Sequence, residues 1–150
     1  MGEVLSYRLA YMLYCTCCSG VDMKKKPSDS TLNAAWRRAV LESYHGRCGI
    51  CGLSWIQGAL ECHHIIKRRR KLTRWNWKNG IPLCQQCHQL AHTKVGERII
   101  SQRHPWYDEL VILEQIDFKQ YLSKMEWTEN QWRRRVLEEL KEKAGKDVEV

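Results

Sequence analysis

The sequence predicts an α+β fold, a small metal-held core of strand and helix flanked by N-terminal and C-terminal helices. Three observations carry this. Two Cys-x-x-Cys pairs, Cys48/Cys51 and Cys84/Cys87, bracket a strand-like run from Leu60 to Ile66. His88 and His92, at i and i+4 after the second pair, share one face of a helix over about 87–95. Amphipathic helical patterns stand on both sides of this segment.

In chain order, residues 1–27 read as a leader or flexible segment. Met23 is a candidate start of translation, and Cys15, Cys17 and Cys18 read as incidental thiols. The Met1–Ser6 stretch fits a loose myristoylation pattern that chance explains better. Ser28 to Ser30 continues as linker. Leu32 to Tyr44 is a helix with Leu32, Trp36, Ala39, Val40 and Tyr44 on one face, Ser30 or Thr31 as N-cap, and Gly46 ending it. His45 then falls at its C-terminus, as a surface or capping residue. Asn79-Gly80 reads as a turn, and Trp75 and Trp77 alternate as on a strand, one inward and one exposed. His104, before Pro105, reads as a loop residue without a role. Residues 28–104 form the core with its N-terminal helix, and 105–150 a helical extension. That extension holds one helix over about 107–124, with Leu110, Leu113, Ile116 or Phe118, and Tyr121 inward. A second runs from Thr128, where Thr128-x-x-Gln131 is a capping box, to about Lys143. Arg133 to Arg135 is either a phosphate contact or a solvated face balanced by Glu138, Glu139 and Glu142.

Composition narrows the partners. In 150 residues, 25 Lys and Arg stand against 17 Asp and Glu, a net charge of +8. Such a balance favours nucleic acid first and an anionic membrane surface second. No acidic residue lies between Cys62 and Gly96, whereas Lys67, Arg68, Arg69, Arg70, Lys71, Arg74 and Lys78 all do. These seven cations read as a phosphate-gripping set, with a solvated loop as the plainer alternative. No stretch approaches the roughly 18 apolar residues of a membrane span. Val4 to Tyr14 is apolar but short, interrupted by Arg8, and lacks the flanks of a secretory signal.

The eight cysteines do not suggest a secreted disulfide scaffold. Two Cys-x-x-Cys pairs beside glycine or histidine suit thiolates on a structural zinc, in a reducing compartment. The residues between the pairs, 52–83, exceed a usual zinc-ribbon spacer and must form structure of their own. His63, His64, His88 and His92 remain. Three imidazoles can hold a divalent cation and leave positions for water and substrate. His63 and His64, adjacent on a strand, point to opposite faces, so one can ligate while the other acts differently. Alternatively, His88 and His92 join the zinc site in place of cysteines.

The pattern C-x-x-C, H-H-I-I, Asn79 fifteen residues after His64, then C-x-x-C-H-x-x-x-H resembles the HNH endonuclease family over residues 48–92. The resemblance implies a ββα-metal core with zinc knuckles. It implies His63, His88 and His92 as ligands of a catalytic divalent cation, Mg2+, Mn2+, Ni2+ or Zn2+. His64 resembles the general base that activates water, and Asn79 the residue steadying the base's loop. Cys48, Cys51, Cys84 and Cys87 would hold the structural zinc. Many members carry Asp at the His63 position and Asn at the His88 position, so this nitrogen-rich set is softer. The implied activity is hydrolysis of DNA to 5′-phosphate and 3′-hydroxyl ends in a bacterial or phage-infected cell, with no membrane. The small size argues for either weak specificity or a protein partner that supplies targeting. A non-catalytic, zinc-stabilised DNA-binding module and an RNA-directed nuclease are the competing readings.

Overall fold

The computed structural model describes residues 25–145. The expectations placed on residues 1–24, including the Met23 start, the three upstream cysteines and the acylation pattern, lie outside the described residues.

Helix α1, Asp29–Ser43, begins three residues before the Leu32 start that the sequence suggests. Ser28 caps it, accepting from the Thr31 amide at 3.1 Å, and Asp29 adds an acid to the first turn. Ser28 to Ser30 is thus a helix start, not a linker. The helix buries Leu32, Trp36, Ala39 and Val40, the face its spacing predicts. It closes through Tyr44, and both His45 (φ 53°) and Gly46 (φ 65°) are left-handed. Glycine tolerates that conformation at Gly46, where a Cβ would also strike the Trp55 ring.

Strands β1, Leu60–His64, and β2, Gly80–Cys84, form a two-stranded antiparallel sheet, pairing Leu60 with Cys84, His63 with Ile81 and His64 with Gly80. Helix α2, Lys71–Arg74, and a 3-10 turn, Trp77–Asn79, fill the connection between them. Trp75 and Trp77 are therefore not on a strand. The Asn76 side chain accepts from the Lys78 amide at 3.0 Å and turns the chain there. Trp75 is buried, and Trp77 is partly buried against the same core. Asn79 ends the turn and Gly80 opens β2 with its Cα against Val40 and Trp36, leaving no room for a side chain.

Helix α3, Gln85–Ala91, stops at His92, and a separate helix α4, Lys94–Arg103, follows under a Thr93 cap. The helix expected over about 107–124 is two: α5, Tyr107–Glu114, and α6, Phe118–Met125. Asp117 causes the break, since its extended backbone and carboxylate cap the Gln120 amide at 2.9 Å. Ile116 is left exposed at the break, and Phe118 takes the inward position against Trp132. Helix α7, Glu129–Lys143, carries the expected capping box of Thr128 and Gln131.

Two clusters hold the structure. Leu32, Trp36, Ala39 and Val40 meet Trp75, Trp132 and Leu140 in one. The other gathers Cys48, Ile81, Leu83, Cys84, Cys87, Ala91 and Ile100 around the cysteine pairs. Each fully buried Leu contributes about 1.5–3 kcal/mol. Arg133 fits neither expectation for its triplet. Its guanidinium is buried, pairs with Asp29, bonds the Pro27 carbonyl at 3.0 Å and lies over Trp75, pinning α7 to the start of α1.

Candidate metal and nucleic-acid site

Cys48, Cys51, Cys84 and Cys87 converge from the knuckle before β1 and from the β2–α3 junction. Their sulfurs all lie within 4.8 Å of one another, with Cys51 and Cys84 at 3.7 Å. Burial works to raise the Cys48 thiol, but the amides of Cys51, Cys84 and Ile50 outweigh it and bring it down to about 6. Burial and the neighbouring sulfurs push Cys87 strongly up. One thiolate forms readily and a second beside it does not, the situation a dication resolves. The four cysteines could hold a metal such as zinc.

Strand alternation separates His63 from His64. His63 faces α3, where its ring lies edge-on to His88 at 5.3 Å and to His92 at 5.0 Å between centroids. The ligating nitrogens of His63, His88 and His92 fall within 4.8 Å of one another. Nε2 of His88 and Nε2 of His92 approach to 3.4 Å. The rival grouping of His88 and His92 with the cysteines does not form: the structure gathers four cysteines and three histidines separately. Burial, then the neighbouring imidazoles, press His63 down to about 4, so its lone pair is free near neutral pH. Glu61, two residues before His63 and on the same strand face, places Oε2 at 2.6 Å from His88 Nδ1. Its carboxylate fixes the Nδ1–H tautomer and turns the Nε2 lone pair toward His92. Sequence reasoning missed this role, although the i−2 spacing on a strand was a usable signal.

His64 faces α1. Trp36 stacks on its ring, and Nε2 lies 2.9 Å from the Arg74 carbonyl. A carbonyl only accepts, so Nε2 carries the hydrogen and Nδ1 keeps a lone pair. Burial lowers the imidazole's proton affinity, the Arg74 carbonyl opposes this, and Arg68, Arg74 and Arg37 lower it further.

Asn79 is fully buried and closes the loop between the strands. Its Nδ2 donates to the Ile66 carbonyl at 3.0 Å and the Thr73 carbonyl at 2.9 Å, while Oδ1 accepts from the Ile66 amide at 2.6 Å. Both ends of the segment that delivers the Arg74 carbonyl to His64 are thereby anchored.

The cations of this loop are less free than the sequence suggests. Acids remote in the chain reach four of them: Arg70 pairs with Glu114 at 3.4 Å, Lys71 with Glu129 at 3.3 Å, Arg74 with Asp29 at 3.8 Å and Lys78 with Glu109 at 2.9 Å. Lys67, Arg68 and Arg69 are exposed and have no carboxylate partner among the described residues. His104 is also not the idle loop residue expected. It is buried, with Nε2 donating to the Lys78 carbonyl at 2.6 Å and Nδ1 accepting from the Tyr44 hydroxyl at 2.8 Å. It ties the end of α1 to the turn before Asn79.

Residues 48–94 match the family model described as HNH endonuclease. No curated protein and no solved structure matches the chain. The match supports nuclease activity, with DNA as the implied substrate, for the segment that carries both clusters and His64. No helix among the described residues is long and apolar enough to cross a membrane.

Proposed function

We propose that this chain is a metal-dependent HNH endonuclease that hydrolyses DNA phosphodiester bonds to 5′-phosphate and 3′-hydroxyl ends. The observation that carries the reading is the state of His64: stacked, held at Nε2 by a main-chain carbonyl, and left with a lone pair on Nδ1. The packing histidine His104 has both ring nitrogens bonded, whereas His64 has a bond at Nε2 alone among the described residues. The three imidazoles suit a divalent cation because each is neutral when unprotonated and His88 is oriented by Glu61. Held by His63, His88 and His92, that cation would neutralise charge on the scissile phosphate and the departing 3′ oxygen.

The remaining work falls to the protein. His64 Nδ1 takes a proton from water, and the resulting hydroxide attacks phosphorus in line. Asn79 holds the loop whose Arg74 carbonyl sets the His64 tautomer. Lys67, Arg68 and Arg69 are available to grip flanking phosphates, and Arg70, Lys71, Arg74 and Lys78 can join them if their surface ion pairs, worth about 0–1 kcal/mol each, exchange. Nitrogen donors favour Mn2+, Ni2+ or Zn2+ over Mg2+. The zinc knuckles fit a reducing intracellular compartment, and residues 28–104 would form the nuclease core with 105–150 as its extension.

Purified protein incubated with supercoiled, linear, single-stranded and branched DNA and with RNA, in Mn2+ or Mg2+, tests this. Metal-dependent cutting of DNA that His64→Ala abolishes, with zinc content unchanged and the fold retained, is the expected result. Full activity of that variant removes His64 as the base. Binding without cutting by the wild type favours a zinc-stabilised DNA-binding module.

A further inference from the structure

Helix α1 precedes the family-matched segment, yet it forms one wall of the His64 site. Trp36 covers the imidazole, the Cys62 thiol donates to the Arg37 carbonyl at 3.6 Å, and Gly80, paired with His64, seats against Val40 and Trp36. The apolar face of the helix turns inward there, and Arg37 is left exposed beside Trp36. Its guanidinium has no carboxylate partner among the described residues. A second wall is the loop anchored by Asn79, which carries Arg68, also exposed and without a carboxylate partner among the described residues. Arg37 follows Trp36 directly in the chain, and Arg68 and Arg74 stand on the loop whose Arg74 carbonyl meets His64. Arg74 alone is tethered, by the Arg68 carbonyl at 2.8 Å and Asp29 at 3.8 Å. Two cations on separate elements beside one imidazole have no carboxylate partner among the described residues, and a phosphate backbone crossing His64 would supply the anion.

Resting on the nuclease reading, we propose that Arg37 is a substrate-phosphate ligand, binding the nucleic-acid backbone on the α1 side of His64 while Arg68 binds it on the loop side. The strand is then held across the base by cations from two elements, one of them outside the matched domain. This differs from general attraction by a basic protein because it assigns a discrete contact to a single exposed residue.

Fluorescence anisotropy with a fluorescein-labelled DNA duplex, without added magnesium or manganese, separates binding from cleavage. Arg37→Gln is expected to weaken binding about five- to tenfold and to lower the slope of log affinity against log salt by about one, measured between about 50 and 200 mM. Arg68→Gln should do the same. Arg37→Lys should retain the slope, and Lys124→Gln on α6 should change neither quantity. Arg37→Gln with the wild-type slope overturns the assignment of Arg37 and leaves the nuclease reading standing if the wild type binds and cuts. A wild type that binds no duplex overturns both.

Discussion

Trp36 lies face to face on His64, with ring centroids 3.9 Å apart and planes within 9° of parallel. The indole N–H is tied to the Asn76 carbonyl at 2.9 Å. One face of the proposed base is thus covered by a rigid ring from α1, and its edge is held by the Arg74 carbonyl. Rotation of the imidazole is blocked from two directions. The precision of the site depends on a helix that the HNH match does not include.

Trp36→Phe keeps an aromatic face and deletes the indole hydrogen bond, leaving the Asn76 carbonyl without it. We expect a loss of about 1–3 kcal/mol in urea unfolding. Cleavage should fall by more than the folded fraction does, because the ring can shift over His64. Equal cleavage per folded molecule would show that the stack serves packing alone.

Glu61 is exposed, so its removal should not disturb the core. With Glu61→Ala, His88 loses the acceptor that fixes its Nδ1–H tautomer. The affinity of the histidine cluster for Mn2+ should drop about 10–100-fold, read by titration calorimetry, while the melting temperature of the zinc-loaded protein without Mn2+ stays put. An unchanged Mn2+ affinity would leave the contact with His88 without consequence.

Stripping metal from the four-cysteine cluster should unfold more than the knuckle. Cys48, Cys84 and Cys87 sit in the same buried cluster as Ile81, Leu83 and Ile100, so repulsion among freed thiolates acts inside the core. Chelation is expected to lower the melting temperature and expose β2 amides to hydrogen exchange, with recovery on returning one equivalent of zinc. Exchange confined to residues 48–52 would limit the cluster to a local clasp.

Stability should fall in mild acid through His104. Burial lowers its proton affinity below the ordinary histidine value, and the Lys78 carbonyl offsets only part of this. The groups facing it are the Tyr44 hydroxyl, the Lys78 carbonyl and the Trp106 ring. Burial pushes Tyr44 up to about 12, so it remains a hydroxyl, and protonation of Nδ1 would end the bond it donates there and place a charge in a buried site. The unfolded chain binds the proton more readily. The contribution is therefore complete above about pH 6.5 and is lost as pH drops toward the folded value. Urea midpoints of wild type and His104→Asn should differ most near neutrality and converge as the pH falls below the ordinary histidine range. A constant difference would contradict the linkage.

Features that rest on near neighbours could be read from the sequence alone. The two Cys-x-x-Cys pairs, the opposite faces of His63 and His64, the shared face of His88 and His92, and the Thr128–Gln131 box all follow from chain geometry over a few residues. The turn between the strands and the break between α5 and α6 were harder, because side-chain caps at Asn76 and Asp117, not hydrophobic period, decide where those elements turn. Tertiary structure alone decided how the site is supported and how its charge is spent. Trp36 reaches His64 across 28 positions, and Arg133 reaches back to Asp29. Asp29, Glu109, Glu114 and Glu129 neutralise cations that stand in an acid-free stretch of sequence. Such pairings depend on which helices bury their apolar faces together, and local spacing carries no record of that choice.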